Sequence, residues 1–366
     1  MSTTTTVRTN LASLTGLRFF AAFIVVLYHV WRIYDPAQWL APVAGFGYVG
    51  VTFFFILSGF ILTWTSKVDD TPMNFYWRRF SRVWPLHLLT TIAAIGLGIA
   101  LGAKLMWSSL PFVVTLTQAW VPGDTRFAFN GPSWSLANEA FFYLLFPLII
   151  GYMARRGRPL RWMGVAFGAM ALVGIVASVV IMTVSPERIG YFTYTMPPFR
   201  MGEFVIGIFL ALAMRKGWRP NFNLAQALGV TVLMYVTMST VVTAIGQQPS
   251  AIPNVIGDLW MAPAFVAVVA AGASGDLQGK SGLFRSSLAV KLGQWSFALY
   301  LIHELVLRAT EPLADGASAS MALVIAAGAI LISIVLAAVA FEYFERPVEA
   351  KLRAMAKPKR VPAHAA

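Results

Sequence analysis

Residues 16–30 read GLRFFAAFIVVLYHV, an apolar stretch with Arg18 near its start and His29 near its end. Read as a helix, the stretch sets these two side chains 11 residues apart. That is three turns plus about 20°, so they share one face, roughly 16 Å apart along the axis. Ionisable groups on an apolar helix turn toward a protein interior or a water-filled cavity and mark a functional site.

The rest of the chain has the same character. Of 366 residues, 58% are hydrophobic and only 12% charged, and the mean hydropathy is +0.70, whereas soluble domains carry about twice that charged fraction. The composition therefore predicts a polytopic membrane protein. A net charge of +13 does not point to nucleic acid, because the basic residues fall in short loops between apolar runs, where they orient spans in the bilayer. With no cysteine and four histidines, thiol chemistry is excluded and no local metal-binding motif forms, so no metal is expected. The polar N-terminus lacks a small-residue cleavage pattern after the first apolar run, which reads as a retained span and not as a signal peptide.

Apolar runs of spanning length predict ten helices, near residues 17–33, 47–65, 83–103, 134–153, 160–184, 199–215, 224–246, 255–273, 288–309 and 319–344. The fold class is all-α, a single integral membrane domain over residues 1–366 with both termini cytoplasmic. On that topology, 20 of the 28 basic residues lie on the inner side. The segment Trp107–Val121 is apolar but short and contains Pro111. As an eleventh span it would put Arg155, Arg156 and Arg158 outside, against the positive-inside rule. It reads instead as a re-entrant or interfacial part of an outer loop over 104–133. Residues 1–16 form a polar cytoplasmic N-terminus and 345–366 a basic cytoplasmic tail.

Depth along these helices sorts the buried polar residues into two layers. His29 lies about four residues from the outer end of its helix and Glu139 about five from the outer start of the fourth, a depth of roughly 6–8 Å for each. The two are expected to meet. Arg200, Glu203 and His303 complete this outer layer. The inner layer holds Arg18, the cluster Arg78, Arg79 and Arg82, and Glu342, Glu345 and Arg346. Guanidinium forks bind phosphate oxygens through bidentate, charge-assisted bonds. The separation of the layers thus suits a long donor with a polyphosphate head, such as a coenzyme A thioester.

These residues resemble the acyltransferase-3 family of integral membrane O-acyltransferases. LTGLRFFAAFIVVLYHV is similar to its opening motif of arginine, ten residues and histidine, GVTFFFILSGF to its second-helix motif, and RRFSRVWP to its arginine-rich entrance to the third helix. PSWSLANEAFFYLLFP, FRMGEFVIGIFLA, LGQWSFALYLIHELV and FEYFERPVE resemble its later motifs, in order and across nearly the whole chain. The resemblance implies transfer of an acyl group, usually acetyl, from acetyl-CoA or another acyl-CoA to a hydroxyl-bearing acceptor: a glycan, a lipid-linked sugar or a small natural product. It places the essential histidine at His29, donor-binding arginines at Arg18, Arg78, Arg79 and Arg82, and the partner carboxylate at Glu139. Trp134, Ser135, Arg200, Glu203, Tyr300 and His303 are further pocket candidates. Thr15 and Thr52 stand where many members have aspartate, and Ala140 where a second carboxylate is common. The two threonines, with no fused extracellular esterase-like domain, resemble members that acylate macrolide-type antibiotics.

Chemically, an alcohol attacking a thioester needs a base poised near neutral pH, which histidine supplies. A carboxylate would orient the imidazole and stabilise its protonated form. Each candidate also has a plainer reading. The arginine cluster satisfies the positive-inside rule, Arg200 and Glu203 can pair with each other, and His303 can sit in a structural network with Tyr300 and Glu304. Ser58 reads as a small packing residue, His87 as interfacial and His364 as part of a solvated tail. The rival function is a proton-coupled secondary transporter using the same buried His, Glu and Arg residues. The inverted repeats and paired broken helices of that class are not found. The expected location is the cell membrane; acceptor identity, acyl length and oligomeric state are not legible.

Overall fold

The computed structural model describes residues 11–67, 70–249 and 252–355. Among the described residues ten long helices stand where ten were expected: α1 (Ala12–Ile33), α2 (Gly50–Thr65), α3 (Pro72–Ala100), α4 (Trp134–Ala154), α5 (Pro159–Val184), α6 (Pro197–Arg215), α7 (Leu224–Ala244), α8 (Asn254–Leu277), α9 (Ser287–Ala314) and α10 (Ala319–Ala340). No strand occurs among the described residues. Nine of the ten are long and apolar enough to cross a membrane. The exception, α9, is 28 residues long but carries Lys291, His303, Glu304, Arg308 and Glu311, and most of its middle is buried against α1 and α10. The bundle shields α9 from lipid, which is how so polar a helix is tolerated. The chain is a multi-pass membrane protein.

Consecutive helices alternate in direction, and bonds between their ends define two faces of the bundle. At the first, Asp276 accepts from the Ser13 backbone N–H and hydroxyl (2.9 and 2.7 Å), and Arg215 donates to the Thr63 carbonyl at 2.9 Å. This is the basic end. At the opposite, distal end, Tyr34 and Thr310 hydroxyls are 2.5 Å apart, and Ser239 donates to the Pro42 carbonyl at 2.6 Å. Helices α2, α6 and α8 are the most enclosed, whereas Gly174 is the sole buried residue of α5, whose Leu172, Val179 and Val184 face outward. Helices α2 and α6 cross closely because Gly59 and Gly207 supply no side chain. A Cβ at either would stand 2.0 Å from a carbonyl oxygen, of Phe204 and Ile56 respectively.

Three departures from the expected outline bear on the site. Helix α3 begins at Pro72, capped by Thr71, whose side chain accepts from the Asn74 N–H, eleven residues before the expected 83. Its arginines therefore lie on helix, not on an entering loop. His87 is consequently deep in the bundle and buried, not interfacial, with Nε2 2.8 Å from the Val113 carbonyl oxygen. Trp84 likewise donates to the Val114 carbonyl at 3.1 Å. The segment 104–133 thus folds back beside the middle of α3 as short helical turns, none of spanning length. After α10, a π-helical turn (Phe341–Glu345) leads into α11 (Arg346–Met355). Trp77 of α3 donates to the Leu352 carbonyl at 2.7 Å, so this part of the expected basic tail is docked. Residues 1–10 and 356–366, with Arg8 and His364, lie outside the described residues.

Candidate active site

His29 is set by α1 against α9. Its Nδ1 lies 2.9 Å from the carbonyl oxygen of Val25, one turn back, and 3.2 Å from Nε2 of His303. His303 Nδ1 in turn lies 3.0 Å from the Leu299 carbonyl oxygen. A carbonyl only accepts, so both Nδ1 atoms carry the proton and His303 Nε2 is an acceptor; these tautomers are assigned from the bonding partners. His29 Nε2 is left with its lone pair. It faces Oε2 of Glu304 at 3.8 Å, with His29 20% and Glu304 5% exposed at their side chains. The other Glu304 oxygen accepts a charge-assisted bond from Arg308 Nε at 2.7 Å. Gly131 backs this group: a Cβ there would stand 2.4 Å from Glu304 Oε2.

Toward the basic end, a cavity of about 170 Å³ opens between α1, α2, α3, α4 and α9. Arg18, Arg79, Arg82 and Glu139 line it, a formal excess of two positive charges, with Ser58, Tyr143, Ser135 and Tyr300 among the other lining residues. Tyr143 donates to Glu139 Oε2 at 2.5 Å. Arg82 lies 3.3 Å from Glu345 and 3.2 Å from Glu349. The Arg79 guanidinium stands over the rings of Phe75 and Tyr143, 5.9 and 6.0 Å from their centroids, and its buried Nε has no partner. Such a cavity can take an anionic ligand with several phosphate oxygens.

The expected pairing of His29 with Glu139 is not formed; the carboxylate at His29 is Glu304, and Glu139 belongs to the arginine-lined cavity. The depth count failed because it started α4 at the membrane surface. Asn130, Pro132 and Ser133 are themselves buried, and Asn130 donates to the Leu301 carbonyl at 2.9 Å. Gly131 is already level with Glu304, and eight residues further on Glu139 lies about 12 Å nearer the basic end. Arg78 is also displaced: it pairs with Asp70 and does not line the cavity. Lining residues Arg79, Arg82 and Val83 centre on the Arg79 direction, and Arg78 points about 100° away.

Arg200 and Glu203 do not join His29. They form a separate buried network in which Arg200 reaches Glu203 at 3.0 Å and Asp258 at 2.5 Å, and Thr52 donates to Glu203 and Asp258 at 3.1 and 2.7 Å. Trp134 is buried against Tyr194, with ring centroids 4.7 Å apart. Glu345 reaches the cavity's arginines, whereas Glu342 and Arg346 pair with each other at 3.3 Å on the surface. Asp258, Tyr143 and Glu349 were not singled out in the sequence. Asp258 had a signal, since an acid within an apolar span has to face protein; Tyr143 and Glu349 had none beyond their spacing from Glu139 and Glu345. Among the described residues no group of three His, Asp or Glu side chains is placed to hold a metal ion.

A polytopic helical bundle that leaves one imidazole nitrogen of His29 without a hydrogen-bond partner, beside an arginine-lined cavity, is an arrangement able to supply a base and to accept an anion. The chain belongs to the acyltransferase-3 family: that family's model, described as an acyltransferase domain, matches residues 11–341. It is 34% identical over 334 residues to the acyltransferase MdmB of Streptomyces mycarofaciens, covering 84% of this chain and 81% of that one. It is 25% identical over 329 residues to the O-acetyltransferase OatA of Staphylococcus aureus, covering 80% of this chain but 50% of OatA. A putative acetyltransferase of Acidianus two-tailed virus, ORF330, is 27% identical over 223 residues, 60% of this chain and 63% of that one. No solved structure matches the chain. The protein is an acyltransferase.

Proposed function

We propose that the protein moves an acyl group, acetyl in the simplest case, from a coenzyme A thioester to a hydroxyl of a glycan, a lipid-linked sugar or a small natural product such as a macrolide. The observation that carries this reading is the free Nε2 of His29, which the bonds from Nδ1 to Val25 and His303 leave as the basic nitrogen. In the reaction, Nε2 takes the proton of the acceptor hydroxyl as its oxygen attacks the thioester carbonyl. The carbon–sulfur bond breaks, and the imidazolium returns the proton to the departing thiolate. Glu304 stabilises the imidazolium. Arg18, Arg79 and Arg82 receive the donor's phosphates, and Glu139, bonded to Tyr143, orders those arginines.

The excess of Lys and Arg at the basic end supports a cytoplasmic location for that end and both termini, in the cell membrane. The donor then enters from the cytoplasm and the acceptor from the distal side. Thr15 and Thr52, the pattern of members that acylate macrolide scaffolds, support that acceptor first. The test is release of free thiol from acetyl-CoA by purified protein, with a macrolide bearing free sugar hydroxyls and, separately, a muramyl-containing disaccharide. His29→Ala is expected to lower the acceptor-dependent rate about a hundredfold to ten-thousandfold, the usual contribution of a general base; equal rates in the variant and the wild type would end the proposal.

A further inference from the structure

The arginine-lined cavity does not reach His29. Its lining at the distal end is Ser135 and Tyr300, and Tyr300 lies one helical turn from His303 and Glu304 on α9, about 5–6 Å by the spacing of such neighbours. These two side chains are bonded in an unusual way. The Ser135 and Tyr300 hydroxyls are 2.9 Å apart, and both are aimed at one acceptor, the Pro132 carbonyl oxygen, at 3.0 and 3.1 Å. Both residues are buried, at 5% and 6% exposure. Two hydroxyl donors thus converge on one carbonyl oxygen at the blind end of a chamber suited to an acyl donor, between that chamber and the base.

We propose that the Ser135 and Tyr300 hydroxyls are the binding site for the donor's thioester carbonyl, turning from the Pro132 oxygen to the carbonyl oxygen of the acyl group. This rests on the acyl-CoA reading above. As the acceptor oxygen adds to the carbonyl carbon, the carbon–oxygen π electrons move onto the carbonyl oxygen. The two hydroxyls donate to that oxyanion, and its electrons return to re-form the double bond as the carbon–sulfur bond breaks. The hydroxyl protons stay on their own oxygens throughout; the transferred proton travels through His29. Donors aimed at the developing oxyanion stabilise the transition state more than the bound substrate. Their loss is therefore read mainly in kcat, with a smaller rise in KM.

The variants are Tyr300→Phe, which keeps the ring that meets Phe54 edge-on at 6.1 Å, and Ser135→Ala. Each is expected to lower kcat about a hundredfold or more, with KM for acetyl-CoA rising only by the factor by which the wild type prefers the carbonyl in the binding test that follows. Binding supplies a readout independent of the acceptor and of turnover. The ketone analogue of acetyl-CoA with a methylene in place of sulfur carries the carbonyl, whereas S-ethyl-CoA lacks it. The wild type is expected to bind the ketone more tightly, and that preference should vanish in either variant while S-ethyl-CoA affinity holds. Equal binding of both analogues by the wild type, or an unchanged preference in the variants, overturns the carbonyl site while leaving the donor reading intact. Failure of the wild type to bind either analogue overturns the donor reading and the carbonyl site with it.

Discussion

Replacing Glu304 with glutamine tests which carboxylate serves His29. The substitution keeps the shape of the side chain beside Gly131 and removes its charge, 3.8 Å from His29 Nε2. A carboxylate and an imidazolium at that distance attract by about 4 kcal/mol at an effective dielectric constant near 20. Arg308, bonded to the same carboxylate, opposes that field, and cancellation of half leaves about 2 kcal/mol, or roughly thirtyfold in kcat. The effect should stop there, because the Nδ1 tautomer is fixed by Val25 and His303 and does not depend on Glu304. Triads in which the carboxylate itself sets the tautomer lose about ten-thousandfold when it is neutralised. The assay is steady-state thiol release at saturating acetyl-CoA, with thermal unfolding in detergent as the check on folding. Glu139→Gln serves as the comparison and is expected to act mainly on KM for acetyl-CoA. If it lowered kcat more than Glu304→Gln and left KM unchanged, the assignment of Glu304 to His29 would be wrong.

Arg79→Ala removes a cavity-lining guanidinium with an unpartnered buried Nε, and loss of one charge-assisted phosphate contact, about 1.5–3 kcal/mol, raises KM for acetyl-CoA roughly tenfold to a hundredfold. Arg78→Ala, which loses only the pair with Asp70 at the cavity's outside, should leave KM within about twofold; equal effects from the two would refute the placement. Arg200→Met leaves Glu203 and Asp258 buried without their cation and is expected to cost about 3–5 kcal/mol of stability, seen as a clear fall in thermal midpoint in detergent. An unchanged midpoint would show that the network is not structural.

Nine of the ten long helices were legible because burial in lipid demands apolar runs of fixed length, and such runs need no knowledge of their neighbours. Features set by tertiary contact were not. The start of α3 was placed late because its first turns, from Asn74 to Arg82, pair polar and aromatic side chains on a helix that docks α11 and not on an apolar span. The level of Glu139 was misjudged for a related reason: residue counting converts to depth only along a helix that begins at a surface, and the buried turns before Trp134 begin below it. His303 and Glu304 stood in plain sight, but nothing in periodicity says that α9 lies against α1, 274 residues away.

The face shared by Arg18 and His29 kept its meaning through these changes, while the partners along it were reordered. From the basic end the order is Arg18 with Arg79 and Arg82, then Glu139 with Tyr143, then Ser135 with Tyr300, then His29 with His303 and Glu304. Charge falls along this ladder from an excess of positive groups to neutral hydroxyls to a single imidazole beside an ion-paired carboxylate. On the acyl-CoA reading proposed above, phosphates would be held where cations are many, while the neutral acyl end would lie in a site too poor in cations to hold a phosphate. A donor that entered head first would leave its charge in the least favourable place. On that reading the gradient of charge, more than any one contact, sets which end of the thioester meets His29.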